Sequence, residues 1–281
     1  MKIALITDTH LAAITTDFVA NCRAAMAWIE AANVDLVIHL GDITADAIEA
    51  PHQIEEARAV LGDLAVPLLC VPGNHDIGDN PVPGLNSSHK PLDPDMLARY
   101  RAAFGPDRWV HRAAGWTLIG LNAQAFGTGH EEEHAQLAWL YRTLAETAGP
   151  VGLFQHKPWF RYASGDTELH GRYVPLAQRL TLAGAFARHD LRFVATGHTH
   201  QARDLRVEGV EHRWVPSTAF IVPDAMQERI GVKRVGLAVL TLDVEGHRFE
   251  LVQPESMACH DLADYQALFP KVRAALAQHP A

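Results

Sequence analysis

The sequence predicts an α/β fold in which a largely parallel β-sheet is followed by strands that pair in antiparallel fashion. Up to about residue 200, short apolar runs alternate with helix-like segments, which is typical of parallel sheets flanked by helices. Several of these runs end abruptly in Asp, Asn or His. Beyond about residue 210, strand-like runs follow one another through short turns such as Glu245-Gly246, and short turns favour antiparallel pairing.

Five buried strands are predicted from runs of apolar residues that are bounded by glycine, proline or polar residues. They are residues 3–6, 34–40, 66–71, 151–154 and 193–195. Ligands of open α/β sheets collect beyond the carboxyl ends of the strands. We therefore expect the polar residues that follow these five runs to converge on one place.

Helical spacing of apolar residues fills the intervals between these strands. The predicted helices are 18–32, 55–61, 136–148 and 176–189, and the predicted later strands are 211–215, 235–243 and 249–252. A second sheet packed against the first is expected from the later strands. The sequence contains neither an internal repeat nor a long linker. We expect one main domain, residues 1–254, followed by an Ala-rich helical tail, residues 255–281.

Composition and charge restrict the classes of partner. Hydrophobic residues make up 48% and charged residues 20% of the chain, with a formal net charge of −9. Such a surface repels nucleic-acid polymers, so a phosphate ligand needs a local positive site. We expect a cytoplasmic protein that does not enter membranes. The three cysteines are scattered, which suits a reducing compartment. The sequence shows neither a signal peptide nor a run of about 18 apolar residues. Homo-oligomerisation stays open.

The residues that follow the five predicted strands are of metal-ligand type. They are Asp8, His10, Asp42, Asn74, His156, His198 and His200. Gly41 permits close backbone approach just before Asp42, whose carboxylate has two oxygens that can bridge two ions. Seven ligands suffice for two metals that keep positions open for water and substrate. Mixed imidazole and carboxylate ligands suit divalent transition metals such as Mn, Fe, Zn or Co better than Ca or Mg.

Together these residues resemble a known family signature. The blocks are Asp8-Thr9-His10, Gly41-Asp42, Gly73-Asn74-His75-Asp76, His156 and Gly197-His198-Thr199-His200. In this order they resemble the five blocks of calcineurin-like metallophosphoesterases, across about residues 1–220. The first and third blocks resemble most those of bacterial class III cyclic-nucleotide phosphodiesterases and glycerophosphodiesterases.

The resemblance implies a fold, a ligand assignment and a reaction. The fold is a four-layer αββα sandwich of two mixed β-sheets flanked by helices. One metal is held by Asp8, His10 and His200, the second by Asn74, His156 and His198, and Asp42 bridges them. The implied nucleophile is a water between the ions that loses its proton near neutral pH and attacks in line. The resemblance assigns His75 to the phosphate and leaving-group side as a catalytic residue. We predict that Asp76 orients His75 or its loop.

Two other segments are predicted to border the substrate. Residues 157–162 and 172–175 carry aromatic and cationic side chains just beyond a candidate ligand, and Arg161, Tyr162, Arg172 and Tyr173 are predicted to bind substrate. The alternative is an ordinary loop that covers hydrophobic surface. Residues 87–90 are a second candidate rim loop.

The sequence favours a phosphodiesterase that acts on small organic diesters. A phosphomonoesterase for small-molecule or protein phosphates is the alternative, and a non-enzymatic scaffold is disfavoured because every ligand position and His75 are kept. The run His130-Glu131-Glu132-Glu133-His134 also matches the zinc-protease pattern HExxH. Three acidic residues after two glycines favour a solvated helix N-terminus instead.

Overall fold

The computed structural model of the chain describes residues 1–81 and 90–278. The strands are β1 (Lys2–Ile6), β2 (Leu36–His39), β3 (Leu68–Cys70), β4 (Trp109–Ala113), β5 (Trp116–Gly120), β6 (Pro150–Phe154), β7 (Asp190–Thr196), β8 (Gln201–Val207), β9 (Val210–Trp214), β10 (Phe220–Ile221), β11 (Val232–Lys233), β12 (Leu237–Leu242), β13 (His247–Val252) and β14 (His260–Asp261). The α-helices are α1 (Thr16–Ala31), α2 (Gln53–Leu61), α3 (Asn74–Ile77), α4 (Pro94–Phe104), α5 (Glu131–Ala145), α6 (Leu176–Phe186) and α7 (Pro270–Gln278), and two short 3-10 helices span Ala123–Ala125 and Leu262–Tyr265.

Two large mixed sheets face each other between layers of helices. Their strand orders are β13-β12-β1-β2-β3 and β11-β8-β9-β7-β6-β5-β4. Alternate residues of β1 point to different cores: Ile3 and Leu5 pack between the sheets with side chains such as Phe193, whereas Ala4 and Ile6 pack against the helix layer that contains α1. A third core lies between the second sheet and helices α5 and α6. This arrangement confirms the expected αββα sandwich.

The five early strands are present as β1, β2, β3, β6 and β7, and the three later ones as β9, β12 and β13. The expectation that the later strands build the second sheet is wrong for β12 and β13. They form an antiparallel pair that joins the first sheet beside β1, while β9 pairs with β7 in the second. Turn chemistry predicts that two strands form a hairpin, but it carries no information about which sheet the hairpin joins.

Several elements were absent from the sequence-based prediction. Strands β4 and β8 lie towards the edges of the second sheet, and their buried and exposed residues alternate. They therefore lack the continuous apolar run that marks buried strands. Helix α4 also went unpredicted, although Asp93 caps it by accepting hydrogen bonds from the backbone N–H of Asp95 and of Met96, a recognisable start signal.

Helix α5 contains the run that matches the HExxH pattern. It begins at Glu131, five residues earlier than predicted, and the His130 side chain caps it by accepting from the backbone N–H of Glu132. Three glutamates occupy the first turn, where negative charge interacts favourably with the helix dipole. The helix N-terminus predicted at this run is confirmed, but it is not fully solvated, because Glu133 is buried.

The segment after residue 254 folds onto the rest of the chain. Strand β14 pairs in parallel with β10, and the 3-10 helix and α7 follow it. The division of the chain at residue 254 stays a prediction. No helix within residues 1–81 and 90–278 combines the length and apolarity that crossing a membrane requires.

Candidate metal centre

The loops that follow five parallel strands meet at one edge of the sandwich. They carry the candidate ligands Asp8 and His10 after β1, Asp42 after β2, Asn74 after β3, His156 after β6, and His198 and His200 after β7. Backbone hydrogen bonds fasten these loops to one another, from Asp8 N to Gly41 O at 2.9 Å and from Gly197 N to His156 O at 3.0 Å. The structure therefore brings all seven predicted side chains together.

In the first group, three atoms of metal-ligand type converge. The Nδ1 of His200 donates to the Phe220 carbonyl at 2.9 Å; because a carbonyl can only accept, the Nε2 of the neutral ring carries a lone pair. That Nε2 lies 3.2 Å from Asp8 Oδ1 and 3.3 Å from His10 Nε2. Asp8 Oδ1 is buried and has no hydrogen-bond partner. A cation between these atoms would satisfy all three.

In the second group, ligand atoms converge on one nitrogen of His156. The Nδ1 of His156 lies 2.8 Å from the Leu40 carbonyl and donates to it, so Nε2 faces the other ligands. It lies 3.2 Å from Asp42 Oδ2, 3.3 Å from Asn74 Oδ1 and 3.0 Å from His198 Nδ1. Oxygen and nitrogen acceptors of this kind are the ligand set of a transition metal.

Asp42 lies between the two groups. Its Oδ2 is 3.2 Å from His156 Nε2 and 4.0 Å from His10 Nε2, so one oxygen faces both groups. Its Oδ1 accepts a hydrogen bond from the backbone N–H of His75 at 2.8 Å. This geometry fits a carboxylate that bridges two cations.

The charges of the groups compensate one another in the metal-free protein. Burial opposes ionisation of Asp42, but His156 and His75 outweigh burial and hold the pKa of Asp42 well below its usual value. Burial disfavours protonation of His156, yet Asp42 raises its pKa to about 9. His156 must lose that proton before it can bind a metal, so we expect metal binding to weaken as the pH falls.

Several candidate ligands adopt an energetically unfavourable backbone conformation. Five of the seven candidate ligands have a positive φ, namely Asp8 (51°), His10 (45°), Asp42 (52°), His198 (66°) and His200 (51°). Such conformations cost roughly 1–3 kcal/mol each in non-glycine residues and cluster at functional sites. The surrounding loops and the ligand set must therefore impose these conformations.

Two glycines allow the loops to approach. Gly41 has a φ of 98°, and a Cβ there would lie 2.7 Å from His156 Nδ1, which confirms the close approach expected before Asp42. At Gly73 a Cβ would lie 2.1 Å from Asp42 Oδ1. A side chain at either position would separate the loops that carry the ligands.

Buried polar residues support the ligand loops. His39 accepts from the backbone N–H of Gly41 at 3.2 Å, and its Nε2 lies 2.9 Å from Thr9 Oγ1; burial lowers its pKa to about 3, which keeps the ring neutral. The Asp76 carboxylate accepts from the backbone N–H of Gly73 at 2.9 Å and of Thr44 at 2.9 Å. Asp76 therefore orients its loop, as the sequence suggested.

Lys157 is a supporting residue that sequence reasoning left unassigned. Its buried ammonium group lies 2.6 Å from Asp79 Oδ1 and donates to Asn80 Oδ1 at 2.6 Å and to the Gly171 carbonyl at 2.6 Å. It therefore ties the loop after Asn74 and the turn before Arg172 to the strand end that carries His156. In the sequence, its position directly after His156 was the feature that could have indicated this supporting role.

The predicted substrate residues have different surroundings. Arg161 is ion-paired with both Glu168 and Glu228, and its guanidinium stacks on the exposed ring of Tyr162, 5.0 Å from the centroid. The hydroxyl of Tyr173 is buried and lacks a hydrogen-bond partner.

The charge of Arg172 acts on one candidate ligand, His198. Arg172 is half-buried and donates to the Met226 carbonyl at 3.2 Å; no carboxylate of the described residues lies within ion-pair distance of it. Burial lowers the pKa of His198 most, and the charges of His156 and Arg172 are among those that lower it further.

In the second candidate rim loop, residues 87–89 lie outside the described residues, and Lys90 pairs with Glu49 at 3.1 Å.

Removal of divalent cations is expected to lower the melting temperature. A cation at 100 to 1,000 times its Kd stabilises the folded state by about 2.7–4.1 kcal/mol, which corresponds to roughly 5–15 °C for a chain of this size. Differential scanning calorimetry with Mn²⁺ and with a chelator measures the shift. Ca²⁺, which prefers all-oxygen ligands, is the control and should have little effect. Equal melting temperatures with Mn²⁺, Zn²⁺, Co²⁺ and chelator would contradict a metal centre.

Comparisons with known proteins agree with this geometry. The family model described as calcineurin-like phosphoesterase matches residues 1–202, a region that contains every candidate ligand. A probable cyclic nucleotide phosphodiesterase of Psychrobacter sp. (strain PRwf-1) is 26% identical over 195 residues, which cover 66% of this chain and 52% of that protein. The match thus spans about half the length of that relative.

Two further proteins share sequence or fold with the chain. The serine/threonine-protein phosphatase CPPED1 of Bos taurus is 26% identical over 213 residues, which cover 70% of this chain and 60% of that protein. The solved structure of a dimetal phosphatase from Danio rerio has a TM-score of 0.62 at 16% identity and covers 91% of this chain and 99% of that chain. The structural match shows a shared fold.

Proposed function

The chain belongs to the calcineurin-like phosphoesterase family, and from this premise we propose that it is a dinuclear metal-dependent phosphodiesterase acting on small organic diesters. Cyclic nucleotides and glycerophosphodiesters are the substrate classes we favour. The observation that carries the proposal is the convergence of buried ligand atoms in two groups that one oxygen of Asp42 connects. The relative from Psychrobacter, a probable cyclic nucleotide phosphodiesterase, supports the diester class.

The proposed ligands fall into two sets that share one carboxylate. Asp8, His10 and His200 would hold one ion, Asn74, His156 and His198 the other, and Asp42 both. Mn, Fe, Zn and Co suit these donors. When bound, the two ions would supply Lewis-acid chemistry: they lower the pKa of water near the phosphorus and neutralise charge on the phosphoryl oxygens.

His75 would assist the leaving group. Its Nδ1 donates to the Ala45 carbonyl at 2.6 Å, which fixes the orientation of the ring that would exchange a proton with the departing oxygen. Its backbone N–H holds Asp42 Oδ1, and the ring lies edge-on to His10 at 4.7 Å between centroids. His75 thereby combines two roles, one through its backbone and one through its ring.

Arg161, Tyr162, Arg172 and Tyr173 are proposed to form one wall of the substrate site. In this wall Arg161 already compensates two carboxylates, so its charge is largely neutralised and it would orient the Tyr162 ring. Arg172 would be the group that contacts anionic oxygen of the substrate. This cation would interact more strongly with the nearly double charge of a monoester than with the single charge of a diester, so the diester preference rests on the relatives and not on Arg172.

A substrate panel on the metal-loaded protein tests the proposal. It would compare 2′,3′- and 3′,5′-cyclic nucleotides, glycerophosphodiesters, a phosphonate monoester, and aryl mono- and diesters with one leaving group. We expect the diesters to show the higher kcat/KM. Equal or greater turnover of monoesters would overturn the diester assignment in favour of a phosphomonoesterase, for which the similarity to CPPED1 is the supporting observation. Absence of turnover on the whole panel would favour a scaffold.

Replacing Arg172 with glutamine is expected to lower kcat/KM for aryl monoesters more than for the matched diesters. A hydrogen bond to a charged group contributes about 1.5–3 kcal/mol, so the loss on the monoester should be roughly 10–100-fold. Steady-state kinetics on both esters measure the ratio. Arg192→Gln is the control, because Arg192 is exposed and pairs with Asp190 at 2.6 Å. An equal loss on both esters would contradict selective contact with the phosphoryl group.

A further inference from the structure

Phe220 contacts the first group of candidate ligands through both its backbone and its side chain. Its carbonyl accepts the hydrogen bond from His200 Nδ1 at 2.9 Å. Its ring lies 4.5 Å from the His200 ring and 4.9 Å from the His10 ring, measured between centroids. Two imidazoles therefore rest on one buried phenyl ring, which limits how far either can rotate.

Phe18 of α1 connects Phe220 with two aromatic rings of the C-terminal segment. Phe18 of α1 contacts Phe220 at 4.9 Å between centroids and is itself covered by Tyr265 at 4.8 Å and by Phe269 at 6.3 Å. We call Phe220, Phe18, Tyr265 and Phe269 the aromatic relay. It connects residues beyond position 260 with the ligand histidines.

The backbone of the same region is also held from the C-terminal side. Phe220 lies opposite His260 in the two-stranded sheet that β10 forms with β14, and β10 has no other strand partner among the described residues. The Asn21 side chain donates to the Ala219 carbonyl at 3.1 Å and to the Ala258 carbonyl at 2.8 Å. Residues after 254 thus help to hold Phe220 in position, together with Ser217, whose hydroxyl accepts from the Phe220 N–H at 3.2 Å.

The two histidines that contact Phe220 must be held in place, because their backbone conformations are strained. His10 and His200 have φ angles of 45° and 51°, and a residue in that region relaxes unless its surroundings prevent it. Residues that orient metal-binding histidines typically change metal affinity by 10–100-fold when replaced. The aromatic relay is situated to supply such orientation.

We propose that the C-terminal segment is a positioning element of the metal centre, acting through Phe220 on His10 and His200. This inference rests on the proposed dinuclear function, but it concerns metal affinity and is independent of which ester is hydrolysed. It makes the residues after 254 part of the centre's scaffold.

Calorimetric titration of the metal-free full-length protein with Mn²⁺ tests the inference. Phe220→Leu keeps the backbone carbonyl and removes the ring, so we expect one of two binding events to weaken by roughly 10–100-fold, with the other unchanged. Phe269→Ala, at the far end of the relay and partly exposed, should weaken the same event to a smaller extent. Phe220→Tyr, which retains the ring, should restore most of the affinity.

Phe186→Leu is the matched control. Phe186 is 3% exposed against 5% for Phe220, and it lies in the core beside α6. We expect this variant to lose stability but to bind both ions normally. The inference is overturned if Phe220→Leu and Phe269→Ala bind Mn²⁺ as Phe186→Leu does. Wild-type protein that binds no Mn²⁺, Zn²⁺ or Co²⁺ would overturn the proposed function itself, and this inference with it.

Discussion

Asp42→Ala is expected to abolish phosphoester turnover and to leave the protein unable to retain two metal ions. Asp42 Oδ2 faces both groups, 3.2 Å from His156 Nε2 and 4.0 Å from His10 Nε2, so its removal would take a proposed ligand from each ion. We expect kcat/KM to fall by at least about 10³-fold, since both charge neutralisation and activation of water are lost. Metal analysis after gel filtration, together with kinetics on the preferred ester, measures both effects.

Two further variants are compared with Asp42→Ala. Asn74→Ala removes a ligand from one ion only and is also expected to stop turnover and deplete metal. Asp63→Ala is the control, because Asp63 is an exposed carboxylate that pairs with Arg23 at 3.0 Å. Full retention of two ions by Asp42→Ala would contradict the bridging role, and unchanged turnover would contradict the proposed centre as a whole.

The positions of the candidate ligands were predictable because strand ends determine them. A strand such as β1 is identified by its apolar run, and the residues that follow it must lie at the carboxyl edge of the sheet. Asp8 and His10 were found in this way, as were the other five candidates. The family resemblance added their division into two sets, which sequence spacing alone leaves open.

Other features depend on contacts between distant parts of the chain. Lys157 and Asp79 are 78 positions apart, and nothing in either local sequence indicates that they pair at 2.6 Å. Phe220 resembles any buried aromatic residue until the fold places it against His10 and His200. The left-handed backbone at five ligands is likewise imposed by loops that fasten to each other, and local propensity would predict the opposite.

His75→Ala is expected to retain both metals while kcat falls by about 10²–10⁴-fold, the usual contribution of general acid catalysis. The substitution removes the ring but keeps the backbone N–H that holds Asp42 Oδ1 at 2.8 Å. Esters of poor leaving groups should be affected most, because a departing alkoxide needs a proton more than a nitrophenolate does. Metal analysis and the dependence of kcat on leaving-group pKa are the measurements.

The geometry also offers a competing role for His75. Ligand atoms of His10, Asp42 and His75 all lie within 4.8 Å of one another, so the ring is close enough to serve as an eighth ligand. The two roles predict different outcomes: an acid leaves metal content unchanged when it is removed, whereas a ligand does not. His52→Ala, at a side chain that is 72% exposed, is the control for loss of a histidine. Loss of an ion in His75→Ala alone would reassign His75 from acid to ligand, and leaving-group protonation would then have to come from solvent.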